Sequence, residues 1–329
     1  MIKIALFIAI AIAIFFAFWN GFTDAANAIA TIIGTRVLTP LKAVILSAIG
    51  NFLGMFLGVA VATTIGKGII NPDIVTAELV IAALVGGLIW DGITWYFGIP
   101  CSESHVLIGG LVGAGIAVGG IEVVKVNGVI DKVIIPMVTS PVIAFVFAFL
   151  FAVLIIRLFK KYSSSKINKY FKKLQIISSL FFSITHGSND AQKTMGIITA
   201  LMVTYAMLPT FEIPIWVLFV SYISISLGTL FGGWRIVKTM AMKITKLQPY
   251  QGFCAETGGS IVLAGSAIIG FPVSTTHAIS GSIMGVGATS RLSAVRLGIA
   301  RKIVWAWILT MPMSAIFSYI TYNIITIFI

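Results

Sequence analysis

The chain has 329 residues, of which 59% are hydrophobic and only 10% are charged, and its mean hydropathy is +1.08. These values exclude the soluble globular classes and indicate an integral membrane protein. The formal net charge of +12 would suggest nucleic-acid binding in a soluble protein, but here the lysines and arginines lie mainly between apolar runs. We therefore expect no nucleic-acid partner and attribute the charge to membrane topology.

Apolar runs recur along the chain, and each is long enough to cross about 30 Å of hydrocarbon as a helix. They lie near residues 2–19, 41–64, 77–99, 134–159, 215–231, 250–269 and 303–329. Because the lipid interior offers no hydrogen-bond partners, spanning segments must bond within themselves. The sequence thus predicts an all-α integral membrane protein with the lipid bilayer as its surroundings.

The most polar stretch, "KKYSSSKINKYFKKL" at 160–174, together with Arg157 holds seven basic residues and no acidic one. By the positive-inside rule this segment faces the cytoplasm. Three further loops are basic and contain no acidic residue: 36–42, 235–246 and 291–302. Three loops that are neutral or slightly acidic fit the outer side: 66–78, 119–132 and 205–214.

Tracing the chain between these two sides divides it into two halves of opposite orientation. Each half has an odd number of full crossings plus one re-entrant hairpin, which turns around Pro100 in the first half and Pro272 in the second. We predict a first repeat at 1–159, a basic cytoplasmic linker at 160–175 and a second repeat at 176–329. Inverted-topology repeats whose broken half-helices meet at the bilayer midplane are typical of secondary transporters.

Matching stretches occupy the turns of the two hairpins: "GIPCSESHVLIGGLVGAG" at 98–115 and "GFPVSTTHAISGSIMGVG" at 270–287. In each, a proline precedes a serine that suits the N-cap of a new helix, Ser102 or Ser274. The first turn of a helix presents free N–H groups and the positive end of the helix dipole, which attract anions. We therefore expect the two helix starts to hold a small tetrahedral anion between them, and the glycines that follow to permit close packing.

A second pair of motifs is "NGFTDAANAIAT" at 20–31 and "HGSNDAQKTMGI" at 186–197, which align Asp24 with Asp190. A charge inside the membrane costs at least a few kcal/mol, so ionisable residues there usually line a pathway. A carboxylate beside an anion is repulsive unless a cation lies between them. We predict that these aspartates bind a sodium ion or a proton, and that the glycines Gly21 and Gly187 unwind locally to expose carbonyl oxygens.

The candidate site residues form three groups. Those expected at the anion are hairpin residues and polar groups near the aspartates: Ser102, Glu103, Ser104, Ser274, Thr275, Thr276, Asn27, Asn189, Gln192 and Lys193. Those expected at the cation, which is a metal ion if it is Na⁺, are Asp24, Asp190, Asn27, Asn189 and Thr23. Those expected to support both sets are His105, His186, His277, Asp91 and Glu256.

These paired motifs resemble those of the inorganic phosphate transporter family over nearly the whole chain. The resemblance implies a prokaryotic low-affinity phosphate permease, a secondary carrier that moves inorganic phosphate with Na⁺ or H⁺ by alternating access. It also implies an inverted duplication, a homodimer, a plasma-membrane location, no cofactor besides the co-transported cation, and no enzymatic activity.

The chain departs from the family pattern in its first copy, where Thr23 stands at the asparagine position of Gly-x-Asn-Asp. In the second copy Gln192 and Lys193 replace Ala26 and Asn27 of the first. The two half-sites therefore cannot be chemically identical.

Other functions remain open from the residues alone. A carrier for another tetrahedral oxyanion such as sulfate would use the same helix starts, although acceptors such as Asp24, Glu103 and Asp190 favour phosphate, which can donate hydrogen bonds. Serine, histidine and aspartate in the membrane could form an intramembrane hydrolase, but a single nucleophile does not require their symmetric duplication. An anion channel is a further alternative.

Overall fold

The structure is a computed structural model that describes residues 2–71, 74–290 and 294–328. Two predicted loops, 66–78 and 291–302, therefore fall partly outside the described residues. The first half contains α1 (Ile2–Gly34), α2 (Pro40–Leu53), α3 (Ala60–Gly68), α4 (Ala77–Phe97), α5 (Glu103–Gly119), α6 (Val126–Val129) and α7 (Ile135–Phe159). The second half contains α8 (Ser164–Thr204), α9 (Ile215–Phe231), α10 (Trp234–Met242), α11 (Pro249–Ile269), α12 (Thr275–Ala288) and α13 (Leu297–Phe328).

The same order of elements occurs in both halves: a long helix, a broken helix, a helical hairpin and a final long helix. Within the described ranges, six helices are long and apolar enough to span a membrane, or seven if the bent pair α9–α10 counts as one span. The all-α membrane fold with two repeats is thus confirmed. The linker boundaries at 160–175 stay a prediction, and α8 begins inside that segment at Ser164.

The second crossing of each half is interrupted, although the apolar run at 41–64 predicted one continuous helix. Between α2 and α3 lies a short 3-10 turn followed by Gly58, whose φ of 101° is costly for any residue with a Cβ. Gly232, with φ 63°, separates α9 from α10, and the two helices meet at an angle of 70°. Hydrophobicity could not reveal the break at Gly58 because the residues around it are as apolar as the helices. In the second half the predicted apolar run 215–231 does end with α9, but most of α10 lies in the basic segment 235–246, which was predicted to be a loop.

The last helix of each half packs against the hairpin of the other half. Helix α7 contacts α11 and α12, whereas α13 contacts α4 and α5. The predicted close packing of hairpin glycines is confirmed: a Cβ on Gly113 would lie 2.0 Å from Ala315 O, and one on Gly285 would lie 2.3 Å from Phe145 O. Each hairpin is therefore held in position by the opposite half of the chain.

Gly21 and Gly187 do not unwind their helices, so this prediction is wrong. Helices α1 and α8 run without interruption through both glycines. A Cβ on Gly21 would lie 2.0 Å from Ile225 O, and a Cβ on Gly187 would lie 2.3 Å from Asn51 O. These glycines allow α1 to cross α9, and α8 to cross α2, at backbone contact distance.

Candidate functional site

The hairpin turns place two helix N-termini against each other. Ser102 Oγ accepts a hydrogen bond from His105 N at 3.3 Å, and Ser274 Oγ accepts one from His277 N at 3.1 Å, so both serines are N-caps as predicted. The rings of His105 and His277 lie 4.8 Å apart between their centroids. Because α5 and α12 share little other contact, these starts, which we call the hairpin tips, face one another rather than lying side by side.

Asp24 reaches the second hairpin tip from α1. Its carboxylate accepts hydrogen bonds from Thr276 Oγ1 at 3.2 Å and Thr275 Oγ1 at 3.4 Å. One turn further along α1, Asn27 Nδ2 donates to Thr276 Oγ1 at 2.9 Å and to Thr275 Oγ1 at 3.1 Å. All four side chains are buried, and in the described part of the chain no basic residue forms an ion pair with Asp24.

Asp190 reaches the same tip from α8 but has basic partners. Lys193 Nζ lies 2.7 Å from Asp190 Oδ1, and His186 Nε2 lies 3.3 Å from Asp190 Oδ2. Thr275 Oγ1 is also 3.3 Å from Asp190 Oδ2, so this hydroxyl lies between the two aspartates. Asp24, His186 and Asp190 each offer one atom within 4.8 Å of the others, a separation suited to a shared cation.

The first hairpin tip carries a second acidic group. Glu103 Oε1 accepts a hydrogen bond from Thr23 Oγ1 at 2.8 Å, and the carboxyl group of Glu103 is also within hydrogen-bonding distance of the carboxyl group of Asp91. Asp91, in the C-terminal half of α4, accepts hydrogen bonds from Cys101 Sγ at 2.9 Å and from the indole of Trp19. Asp91, Cys101 and Glu103 again offer atoms within 4.8 Å of one another.

Sequence reasoning did not assign a role to Cys101 or Trp19. Cys101 directly precedes the N-cap Ser102, so its place inside the hairpin motif was a usable signal. Trp19 precedes the first acidic motif by one residue and offered no comparable signal, because its contact with Asp91 joins positions 72 residues apart.

Several predicted site residues turn towards other partners. Gln192 Oε1 accepts hydrogen bonds from the N–H groups of Val61 and Ala62, at 2.9 and 3.2 Å, and so caps α3. Asn189 Nδ2 donates to Leu263 O at 3.0 Å. Ser104 Oγ donates to Val273 O at 2.9 Å, across the two tips. The amide groups of Asn189 and Gln192 are therefore engaged by the protein and are not free to bind an anion.

The residues expected to support the site have different surroundings. His277 packs on Trp307 with 3.9 Å between ring centroids, and His186 Nδ1 lies 2.9 Å from Asn51 Oδ1. His105 lies between the tips. Glu256 lies near the middle of α11, where its hydrogen-bond partners are Thr31, Gln175 and Ser178 and not the aspartates.

The buried region around the tips has more acidic than basic groups. Its carboxyl groups belong to Asp24, Asp91, Glu103 and Asp190, and its only ammonium group among the described residues belongs to Lys193. Buried charges require a partner or must be neutralised by a proton. The region can therefore take up cations or protons, and the helix N-termini can take up an anion beside them.

Comparison with known proteins matches this arrangement to membrane transporters. The sequence pattern of the phosphate transporter family matches residues 20–167 and 159–318. The chain is 51% identical over 263 residues to a "probable low-affinity inorganic phosphate transporter" of Rhizobium meliloti, covering 80% of this chain and 78% of that protein. It is 42% identical over 269 residues to a Bacillus subtilis protein of the same name, covering 80% of each.

A solved structure titled "The sodium-dependent phosphate transporter" superimposes with a TM-score of 0.88 at 26% identity, covering 99% of this chain and 100% of that one. The fold is thus that of a multi-pass membrane transporter rather than an enzyme. More specifically, the chain belongs to the phosphate transporter family, as its paired motifs indicated.

Proposed function

We propose that the chain imports inorganic phosphate across the plasma membrane by symport with Na⁺ or H⁺. The observation that carries the proposal is the meeting of two helix N-termini beside four buried carboxyl groups and one ammonium group. The N-termini attract an anion, and the excess of acids requires cations in the same region. Phosphate and cation would therefore stabilise each other's binding.

Phosphate would lie between the hairpin tips, within reach of their first-turn N–H groups. Hydroxyl and amide groups that already converge there are those of Ser104, Thr275, Thr276 and Asn27. The cation would lie between Asp24 and Asp190, where Thr275 Oγ1 bridges both carboxylates. Alternating access then requires the two halves to move relative to each other around this region.

The carboxyl groups of Glu103 and Asp91 at the first hairpin tip favour phosphate over sulfate. At neutral pH phosphate retains a hydroxyl that can donate to a carboxylate, whereas sulfate can only accept hydrogen bonds. A sulfate carrier remains the second candidate, and competition distinguishes the two. Unlabelled phosphate should compete with labelled phosphate for uptake, and the same concentration of sulfate should compete far less.

The decisive test is uptake of labelled phosphate into proteoliposomes with Na⁺ and H⁺ gradients imposed separately. One of the gradients should drive accumulation, and Asp24→Asn should lower the initial rate about 100-fold, because about 2.7 kcal/mol of cation binding energy is lost. Asp131→Asn is the matched control, since Asp131 is an exposed acid. Gradient-driven uptake that Asp24→Asn leaves unchanged would remove the cation role from Asp24, and absence of uptake by folded wild-type protein would refute the proposal.

A further inference from the structure

A crevice of about 270 Å³ lies beside the first hairpin, between its turn, α10 and α13. Gly98 and Pro100 of the turn form part of its wall, and both are buried. Pro100 is two residues before Ser102, the N-cap of the first hairpin tip. Two lysines also line the crevice: Lys243, which follows the last residue of α10, and Lys302 on α13. The crevice thus combines apolar walls with two ammonium groups close to the proposed anion site.

Neither of these lysines has an ionic partner in the part of the chain that the structure describes. Lys243 and Lys302 are both exposed, and the two ion pairs among the described residues are both at Asp190. None of the described residues that line the crevice is acidic. A cleft with apolar walls and charges of one sign concentrates ions of the opposite sign. The crevice is therefore suited to a small anion.

Helix α10 is attached to the hairpin turn by two side chains. Thr239 Oγ1 donates to Gly98 O at 2.8 Å, and Arg235 Nη1 donates to Tyr96 O at 2.7 Å. The Cζ atom of Arg235 also lies 4.9 Å from the ring centroids of Trp95 and Tyr96. The charge of Arg235 is therefore used to hold α10 on the hairpin, whereas the two lysines of the crevice remain available to a ligand.

The turn of the second hairpin has an equivalent neighbour in the first half. A Cβ on Gly98 would lie 3.2 Å from Arg235 O on α10, and a Cβ on Gly270 would lie 3.2 Å from Ala60 O on α3. Both glycines end the first helix of their hairpin with a positive φ. Helix α3 therefore packs on the second hairpin as α10 packs on the first, with Ala60 at the position of Arg235.

The two lysines differ in whether the repeat conserves them. Counting along α3 and α10 from this pair places Gly68 at the position of Lys243. The backbone contacts of α7 and α13 with the hairpin glycines likewise place Lys132 at the position of Lys302. Lys132 Nζ would lie 3.7 Å from a Cβ on Gly68, so this lysine reaches the equivalent region of the other side. One lysine is thus present on both sides, whereas the second is present only on the predicted cytoplasmic side.

We propose that Lys243 and Lys302 bind inorganic phosphate in this crevice, as a second anion site on the cytoplasmic side of the first hairpin tip. A lipid phosphodiester has the same chemistry, but the crevice is smaller than the pockets of about 300–1,000 Å³ that hold larger ligands, and so it suits a small ion. Exposed ammonium groups bind weakly and are screened by salt. If the chain imports phosphate as proposed above, the site takes up the ion as it leaves the tips and releases it readily to the cytoplasm.

Protection of an introduced thiol tests the site in the purified protein. Ile299→Cys places a thiol on the wall of the crevice, and the parent chain, whose two cysteines are buried, gives the background. The uncharged reagent N-ethylmaleimide labels this thiol in detergent, with KCl added to keep the ionic strength constant. Inorganic phosphate should slow labelling about tenfold at about ten times its dissociation constant. Lys243→Gln/Lys302→Gln should abolish this protection, whereas Lys238→Gln, at an exposed lysine of α10 outside the crevice, should leave it unchanged.

Three outcomes would overturn the proposal. Protection that persists without both lysines would come from phosphate bound at the hairpin tips, and absence of protection with both lysines present would show that the crevice does not bind phosphate. The third concerns lipid, and it is tested in nanodiscs of phosphatidylcholine with and without phosphatidylglycerol. Phosphate should protect the thiol in both membranes, whereas protection by phosphatidylglycerol itself would assign the crevice to a lipid headgroup. Labelling requires no transport, so a failure here is distinguishable from a failure of the proposed import.

Discussion

Asp24 and Asp190 occupy equivalent positions in the two halves but have different partners. Asp24 receives hydrogen bonds from two threonine hydroxyls, whereas Asp190 lies 2.7 Å from Lys193 Nζ. The difference follows from two positions in the motif, where the first half has Asn20 and Asn27 and the second has His186 and Lys193. The two repeats therefore contain one aspartate without a positively charged partner, Asp24, and one with such a partner, Asp190. This gives the two halves different chemical roles.

The largest expected difference between the halves is in stability. Asp190→Asn leaves the ammonium of Lys193 buried without its partner, which should destabilise the protein by about 3–5 kcal/mol. Asp24→Asn leaves no buried positive charge without a partner, so the melting temperature of this variant should be unchanged or raised. Thermal unfolding of the purified variants without phosphate measures both.

The double variant Asp190→Asn/Lys193→Met provides the control. If the ion pair is the cause, the double variant should be more stable than Asp190→Asn alone, because the unpaired charge is gone. Equal melting temperatures for Asp24→Asn and Asp190→Asn would show that the lysine does not distinguish the two aspartates.

A second comparison concerns the glycines of the hairpins. Gly113→Ala places a Cβ 2.0 Å from Ala315 O on α13, so it should destabilise the protein by about 1–3 kcal/mol. Gly92→Ala on α4 has no atom within 4 Å of the new Cβ, and it should stabilise by about 0.5–1 kcal/mol. Melting temperatures that shift in opposite directions confirm the close approach. Equal shifts would indicate that α5 and α13 separate readily in the membrane.

Local signals predicted much of the site. The proline followed by serine fixed both helix starts, since these residues act through their own backbone and first turn. The duplication then indicated that both starts belong to one site. Residues whose role depends only on neighbouring backbone could therefore be placed from the sequence.

Contacts between distant segments could not be predicted in the same way. Gln192 caps α3, but the start of α3 exists only because of the break at Gly58, which the apolar sequence did not reveal. The packing of α7 and α13 against the hairpin of the opposite half likewise has no signal in the local sequence. Gly21 was expected to unwind its helix, yet it packs against Ile225, 204 residues away. The local sequence around a glycine does not show which distant segment packs against it.

The smallest expected difference lies between the equivalent hydroxyls of the two tips. Thr276→Val keeps the shape of the side chain but removes the hydrogen bond to Asp24 Oδ1, so the KM for the coupling cation should rise about fivefold, equivalent to about 1 kcal/mol. Ser104 donates to Val273 O rather than to an aspartate. Ser104→Ala should therefore raise the KM for phosphate while leaving the cation KM unchanged. Initial uptake rates at varied cation and phosphate concentrations separate these effects, and an equal rise in cation KM for both variants would mean that the two tips serve the cation alike.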